Sequence, residues 1–356
     1  METTQAFCAK INPSIWGVAK MAWVAGDQLQ GGKYTIEKEL RRGRFGITYL
    51  VRNKNNDRQI IKTLDINLLT SLNQSDRERL ETMFLQEAVK LTRCQHQHIV
   101  KFSEPFKEAE SSCLVMEYVA GLNLAERDQL QLPEQEALVY IRQIGEALTV
   151  VHDNNLIHGD VQPENIILRG GKPEAVLIDF DLALDFDHEL TTRRAEENAP
   201  GFTPPELYVK GTKPTQASDI YSLAATLYVL LTGKIPVDAL KRKLDNIHLQ
   251  EPKEINPKIS DRINQEILTG MKLNPQERSQ SVKKWLDSLG GTEKKPKPIL
   301  DWSWDKNIQF WTLVIAGIAA IGTLLSGIVG WIPIFKPSPP TSTPSQSPSP
   351  TATNKP

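Results

Sequence analysis

The chain is short of cysteine, of net charge and of long apolar runs, and each shortage narrows what it can be. Only three cysteines occur in 356 residues: Cys8, Cys94 and Cys113. Three thiols cannot all pair with one another, and their spacing fits no metal motif, which argues against a disulfide scaffold or a cysteine metal site. The folded part is expected in a reducing compartment, with the thiols packed as small hydrophobes. The 42 basic and 43 acidic residues leave a net charge of −1, so the charge balance gives no reason to expect a nucleic-acid partner. Phe7 to Ala25 is moderately apolar but is interrupted by Lys10 and Lys20, and it holds no continuous apolar region long enough for a signal peptide. Residues 1–32 are read as a leader that packs on, or hangs from, the domain, with Gly31-Gly32 marking the turn before the first strand. What remains, 40% apolar and 24% charged, suffices for one large domain or two medium ones.

Chemistry concentrates in the run His158-Gly159-Asp160-Val161-Gln162-Pro163-Glu164-Asn165, which follows a helical pattern over 134–151 and precedes the apolar run Ile166-Ile167-Leu168. One strand later comes Val176-Leu177-Ile178-Asp179-Phe180. Two carboxylates, Asp160 and Asp179, thus stand at the edges of β-type runs with Asn165 between them. Phosphoryl transfer needs this set: one carboxylate to orient a hydroxyl, and a carboxylate plus an amide to hold Mg²⁺ on the phosphates. Either motif alone could be a chance aspartate in a loop.

The order of these motifs resembles the signature of protein kinases of the eukaryotic type. The resemblance implies an α+β fold, the bilobal protein kinase-like fold with a β-rich N-lobe and an α-helical C-lobe, over residues 33–289. Residues 33–50 read as two strands around Arg41-Arg42-Gly43-Arg44-Phe45-Gly46, and glycines there let backbone N–H groups approach phosphates. Gly43 and Gly46 match the second and third glycines of the family's loop, whereas Arg41 stands at the first and Thr48 at its valine; a plain hairpin turn explains the glycines as well. Lys62 matches the strand-three lysine that pairs with ATP phosphates, or is simply a solvated strand end. Glu87, on a helix expected over 76–93 with Phe84, Val89 and Leu91 apolar, is its implied partner, against the plain reading of an exposed helix charge. Cys113 to Val119 reads as a buried strand and, in the resemblance, as the hinge. Met116 would guard the adenine pocket, the backbone of Glu117 and Val119 would bond the adenine edge, and Leu40, Ile60 and Ile167 would line the nucleotide site. Asp160, Lys62 and Glu87 are the implied catalytic residues, Asn165 and Asp179 the implied metal ligands, and ATP and Mg²⁺ the implied cofactors.

Further on, Asp181 to Asn198, with Thr191 and Thr192, resembles an activation segment. It closes on Gly201-Phe202-Thr203-Pro204-Pro205-Glu206, similar to Gly-Tyr-x-Ala-Pro-Glu. Ser218-Asp219 opens an apolar helix ended by Gly233 and Pro236. Asp219 either caps that helix or, as in the family, braces the catalytic loop through backbone N–H bonds. Arg278 matches the arginine that pairs with the glutamate at Glu206. This closing set separates the chain from small-molecule kinases such as aminoglycoside phosphotransferases. Gly46 to Leu50, and the layout ahead of a single membrane segment, resemble bacterial, cyanobacterial-type serine/threonine kinases.

Five departures bear on activity. Gly159 replaces the arginine that receives the activation-segment phosphate. Gln162 replaces the lysine that neutralises the transferring phosphate, and Ala199 the threonine that bonds that lysine. Asp181 replaces the glycine of Asp-Phe-Gly, and Ile60 the small alanine over the adenine ring. Two readings therefore stand: a slow serine/threonine kinase acting on protein hydroxyls, or a pseudokinase that binds nucleotide or scaffolds partners.

No charged residue occurs over 308–335, a run long enough to span a bilayer core. Trp302, Trp304 and Trp311 sit near one end and Trp331 near the other, as an aromatic belt would. Lys294, Lys295 and Lys297, in the linker over 290–307, place the kinase domain on the cytoplasmic side of a single-pass protein, where ATP is supplied. Gly322, Ser326 and Gly330 form a small-residue stripe, read either as a self-association face or as ordinary glycine usage in membrane helices. The tail, 336–356, is rich in Pro, Ser and Thr and is expected to be disordered.

Overall fold

Alternating residues build the first lobe. In the computed structural model, which describes residues 22–43, 46–127, 129–170, 172–180, 200–209 and 212–290, six antiparallel strands form one sheet in the order β1-β2-β3-β4-β6-β5. They are β1 (Gln28–Leu29), β2 (Tyr34–Arg42), β3 (Gly46–Asn53), β4 (Arg58–Leu64), β5 (Phe106–Glu108) and β6 (Ser111–Glu117). Side chains in a strand alternate between faces. Ile47, Tyr49 and Val51 on β3, Ile61 on β4 and Cys113 and Val115 on β6 fill one apolar cluster. Thr48, Ile60, Lys62 and Met116 take the other face. The leader packs rather than hangs over its described part: β1 pairs with β2, and the rings of Trp23 and Tyr49 lie 5.3 Å apart. The β3–β4 turn is local chemistry, with the Asn53 side chain accepting from the backbone N–H of Asn55 and Asp57.

Two helices follow β4. The first, α1 (Ile66–Ser71), is capped by Asp65. The second, α2 (Gln74–Leu91), is capped by Asn73 and buries Leu80, Phe84, Ala88 and Leu91 along one stripe. Val89, apolar but outside that stripe, is 42% exposed.

The second lobe is helical. A small sheet, β7 (Gly121–Asn123), β8 (Ile166–Arg169) and β9 (Ala175–Leu177), joins in the order β7-β8-β9, its first strand before the first long helix of this lobe and the other two after it. The helices are α3 (Glu134–Asp153), α4 (Gln216–Thr232), α5 (Ala239–Leu244), α6 (Pro252–Ile255), α7 (Asp261–Gly270) and α8 (Val282–Ser288). Every residue of α4 from Ala217 to Thr232 is buried, as expected of a helix apolar all round. Thr215 and Ser218 form a capping box at its start, which frees Asp219 from the capping role.

The buried thiols Cys94 and Cys113 are pushed up by burial to about 11 and about 12 respectively, as fits small hydrophobes. Among the described residues no helix is long and apolar enough to cross a membrane. The expected membrane segment 308–335, its linker from 291, the tail, residues 1–21, and Arg44, Phe45, Asp181, Thr191, Thr192 and Ala199 lie outside the described residues.

Candidate active site

The loop His158 to Asn165 is held from beneath by one buried carboxylate. Asp219, fully buried on α4, accepts the backbone N–H of His158 at 3.0 Å and of Gly159 at 2.8 Å, and Nε2 of His152 at 2.7 Å. Burial alone would raise the Asp219 pKa, but the hydrogen bond and charge of His152, with His158 and the Gly159 N–H, hold it below the usual carboxylate range. Of the two sequence readings of Asp219, the brace is the one observed. Gly159 has φ +75°, a left-handed conformation that costs a side chain energy and costs glycine nothing. The arginine expected from the resemblance is replaced where the backbone favours glycine.

The His158 ring is fixed on both sides. Its Nδ1 accepts the Asp160 backbone N–H at 3.2 Å, so Nε2 carries the proton donated to the Ile178 carbonyl at 3.1 Å. Phe180 packs on it with ring centroids 4.6 Å apart, and on Phe102 at 5.4 Å. The carboxylate of Asp160 is oriented by two amides. Asn165 Nδ2 donates to Asp160 Oδ2 and to its backbone carbonyl, both at 2.8 Å. Gln162 Nε2 donates to Oδ1 at 3.0 Å and Oδ2 at 3.1 Å. Gln162 and Asn165 are themselves buried. The side chain that replaces the expected lysine thus still contacts Asp160, as a neutral donor.

Asp179 lies across the cleft with φ +56°. Its Oδ1 receives Lys62 Nζ at 2.7 Å and its Oδ2 receives Arg41 Nη1 at 2.9 Å. Lys62 also donates to the Phe180 carbonyl at 2.8 Å. Burial works to raise the Asp179 pKa, but Lys62 foremost and Arg41 with it hold the carboxyl below its ordinary value. Lys62 donates to Asp179 and to the Phe180 carbonyl, where the resemblance implied Glu87 as its partner. Glu87 is half-buried on α2 and has interactions of its own. Asp179, whose backbone is left-handed, offers its carboxylate directly to the ammonium.

Register explains how two cations reach one carboxylate. Residues directly opposite in a sheet point to the same side. Arg41 pairs with Thr48, and Thr48 pairs with Lys62. Two register shifts along β2, between Ile36 and Lys38 and between Glu39 and Arg41, set that register; bulges re-aim side chains in this way. Arg41 is the residue that sequence reasoning missed as a site contact. The two shifts cancel in parity, so Arg41 stays on the face opposite Tyr34 and Ile36; what strand pattern does not show is that Asp179 comes to meet it there.

The remaining nucleotide residues fall around the same face. Ile60 pairs with Met116 across β4 and β6, so the two stand side by side, with Met116 buried and Ile60 and Ile167 half-buried. The Glu117 N–H donates to the Lys101 carbonyl at 2.9 Å, and its side chain is tied to Arg169. Val119 is buried just beyond β6. Gly43 donates its N–H to the Gly46 carbonyl at 2.9 Å. A Cβ on Gly46 would lie 2.3 Å from the Thr63 carbonyl oxygen, so close strand approach, rather than phosphate access alone, requires glycine there.

Among the described residues no three His, Cys, Asp or Glu side chains group to hold a metal. Asp179 and Asn165 still fit a hard cation that draws its other ligands from phosphates and water. Both offer oxygen, since Asn165 commits its Nδ2 to Asp160. Below the site, Arg278 is bidentate to Glu206 at 2.7 and 2.8 Å. It also donates to the carbonyls of Lys272 and Ala217, and Ser218 donates to Glu206 at 2.9 Å. The expected pair is formed and closed to solvent on its arginine side.

Residues 34–293 match the family model for the protein kinase domain. The serine/threonine-protein kinase PkaB of Streptomyces coelicolor is 32% identical over 216 residues, 58% of this chain and 50% of that protein. The chain therefore spans about half the length of that curated relative. An Aurora kinase of Schizosaccharomyces pombe is 28% identical over 265 residues, 71% of each chain. The solved apo form of PpkA-294 superposes with a TM-score of 0.62 at 21% identity, covering 76% of this chain and all of that one, which is a likeness of fold.

Proposed function

The chain belongs to the protein kinase family, and from that premise we propose that it is a serine/threonine kinase, anchored in a membrane, that moves the terminal phosphoryl group of ATP to protein hydroxyls. The observation that carries this is Asp160, held by Gln162 and Asn165 in one cleft with Lys62 and Asp179. Asp160 orients the incoming hydroxyl and accepts its proton. Asn165 fixes the carboxylate rotamer, and Asp219 keeps the loop backbone from relaxing. Lys62 is placed to neutralise phosphate charge. Bound at Asp179 and Asn165, Mg²⁺ would supply charge neutralisation on the phosphates.

The test is phosphate incorporation from labelled ATP by the full-length chain, with Asp160→Ala as control. Incorporation lost in the variant supports the proposal, and incorporation unchanged sinks it. A second reading, a pseudokinase that binds nucleotide without transferring it, is favoured by two contacts: neutral Gln162 on Asp160, and Arg41 on Asp179. Nucleotide binding with no Asp160-dependent transfer would establish it.

The membrane part rests on sequence alone. The uncharged run 308–335, its flanking tryptophans and the lysines before it support a single pass with the kinase domain in the cytoplasm. Gly322, Ser326 and Gly330 supply a face for self-association. Recovery of the full chain in an alkali-washed soluble fraction would refute the anchor.

A further inference from the structure

Arg41 does something at Asp179 that a glycine could not. It stands where the resemblance places the first glycine of the loop. Strand register aligns it with Thr48 and Lys62, and its Nη1 lies 2.9 Å from Asp179 Oδ2. With Lys62 on Oδ1 at 2.7 Å, each oxygen of the metal-type carboxylate already faces a cation. Both oxygens of Asp179 are therefore already met by positive groups before any ion arrives.

A divalent cation at Asp179 must move the guanidinium from Oδ2 or sit against it, and like charges at this distance repel strongly in a half-buried cleft. A metal-free triphosphate meets the opposite situation. It brings several negative charges to two cations, and a guanidinium presents forked donors that match phosphate oxygens. Arg41 is 55% exposed at its side chain, so its tie to Asp179 is weak and its arm can leave at little cost.

We propose that Arg41 makes nucleoside triphosphate binding in this cleft largely independent of divalent metal, by supplying the charge neutralisation that the metal otherwise provides. The inference rests on the reading of the cleft as a nucleotide site. It makes Arg41 a binding residue on the phosphate side, and it distinguishes this cleft from one whose loop has only glycines at that place.

The experiment is calorimetric titration of ATP into the full-length chain, in excess Mg²⁺ and in excess chelator. In the wild type the two dissociation constants should agree within about threefold, and Arg41→Gly should weaken binding in chelator by about tenfold or more while Mg·ATP binding holds, the effect of losing one charged hydrogen-bonding partner. Arg41→Lys, which keeps the charge but not the fork, should fall between. Wild-type binding that collapses in chelator overturns the inference. So does an Arg41→Gly chain that loses both forms equally or neither. Absence of ATP binding by every variant under both conditions sinks the nucleotide reading and this inference with it.

Discussion

The Gln162 side chain lies flat against the carboxylate of Asp160, with one Nε2 donating to Oδ1 at 3.0 Å and to Oδ2 at 3.1 Å. An amide can hold a carboxylate in place but adds no positive charge where a phosphoryl group would pass. Gln162→Lys should keep the contact and restore that charge, raising transfer by about a hundredfold if a missing preorganised charge limits the rate. Combining it with Ala199→Thr should raise it further. Steady-state phosphate incorporation checks both. No gain despite normal ATP binding would place the block at Ile60 or Asp181.

Gly159 invites the opposite repair, and that repair should fail. The family's arginine at this position would have to adopt φ +75°, so Gly159→Arg should destabilise the domain by about 1–2 kcal/mol. A denaturant titration reads this directly. An unchanged midpoint would mean that the loop relaxes to accept a side chain.

Asp219 gives a prediction in acid. Its pKa is lowered in the folded chain, foremost by His152 acting against burial. A lowered carboxylate contributes stability that is present above its unfolded value and is lost as pH falls through the folded one. Stability should therefore decline below about pH 4, the ordinary carboxylate value, and Asp219→Asn should flatten that decline while lowering stability at neutral pH. Melting curves from pH 3 to 7 decide it. An unaltered acid limb in the variant would assign the decline to other carboxylates.

The buried Arg278–Glu206 pair should behave as one unit. Arg278→Ala leaves a buried carboxylate and should cost about 3–5 kcal/mol. Adding Glu206→Ala should cost much less than the two single losses together, since neither charge is then left alone. Additive losses in a denaturant-based double-mutant cycle would show that the pair is not coupled.

Much of this was legible in the chain. Asp160, Asn165, Asp179 and Lys62 were found by type and order, and the structure gathers them in one cleft. The strands around Gly46 and the helix ending at Gly233 follow from alternation and capping, and the Glu206–Arg278 pair from the resemblance to the family. Three features were not legible. Lys62 bonds Asp179, because which carboxylate an ammonium meets depends on the side-chain geometry around Asp179. Arg41 enters the site because strand register sets it beside Lys62 and the fold brings Asp179 to both. His152, a helix residue with no motif around it, bonds Asp219 only because α3 and α4 pack side by side.

Sequence alone determined the family, the order of the elements and the identity of the groups able to bear phosphoryl chemistry, since these depend on residue type and spacing along the chain. Tertiary structure decided the pairings: Gln162 with Asp160, Asp219 with the loop backbone, and Arg41 and Lys62 with Asp179. Hydrogen bonds and ion pairs act over about 3 Å. Groups far apart in the chain come within that range only when register, bulge and helix packing bring them together.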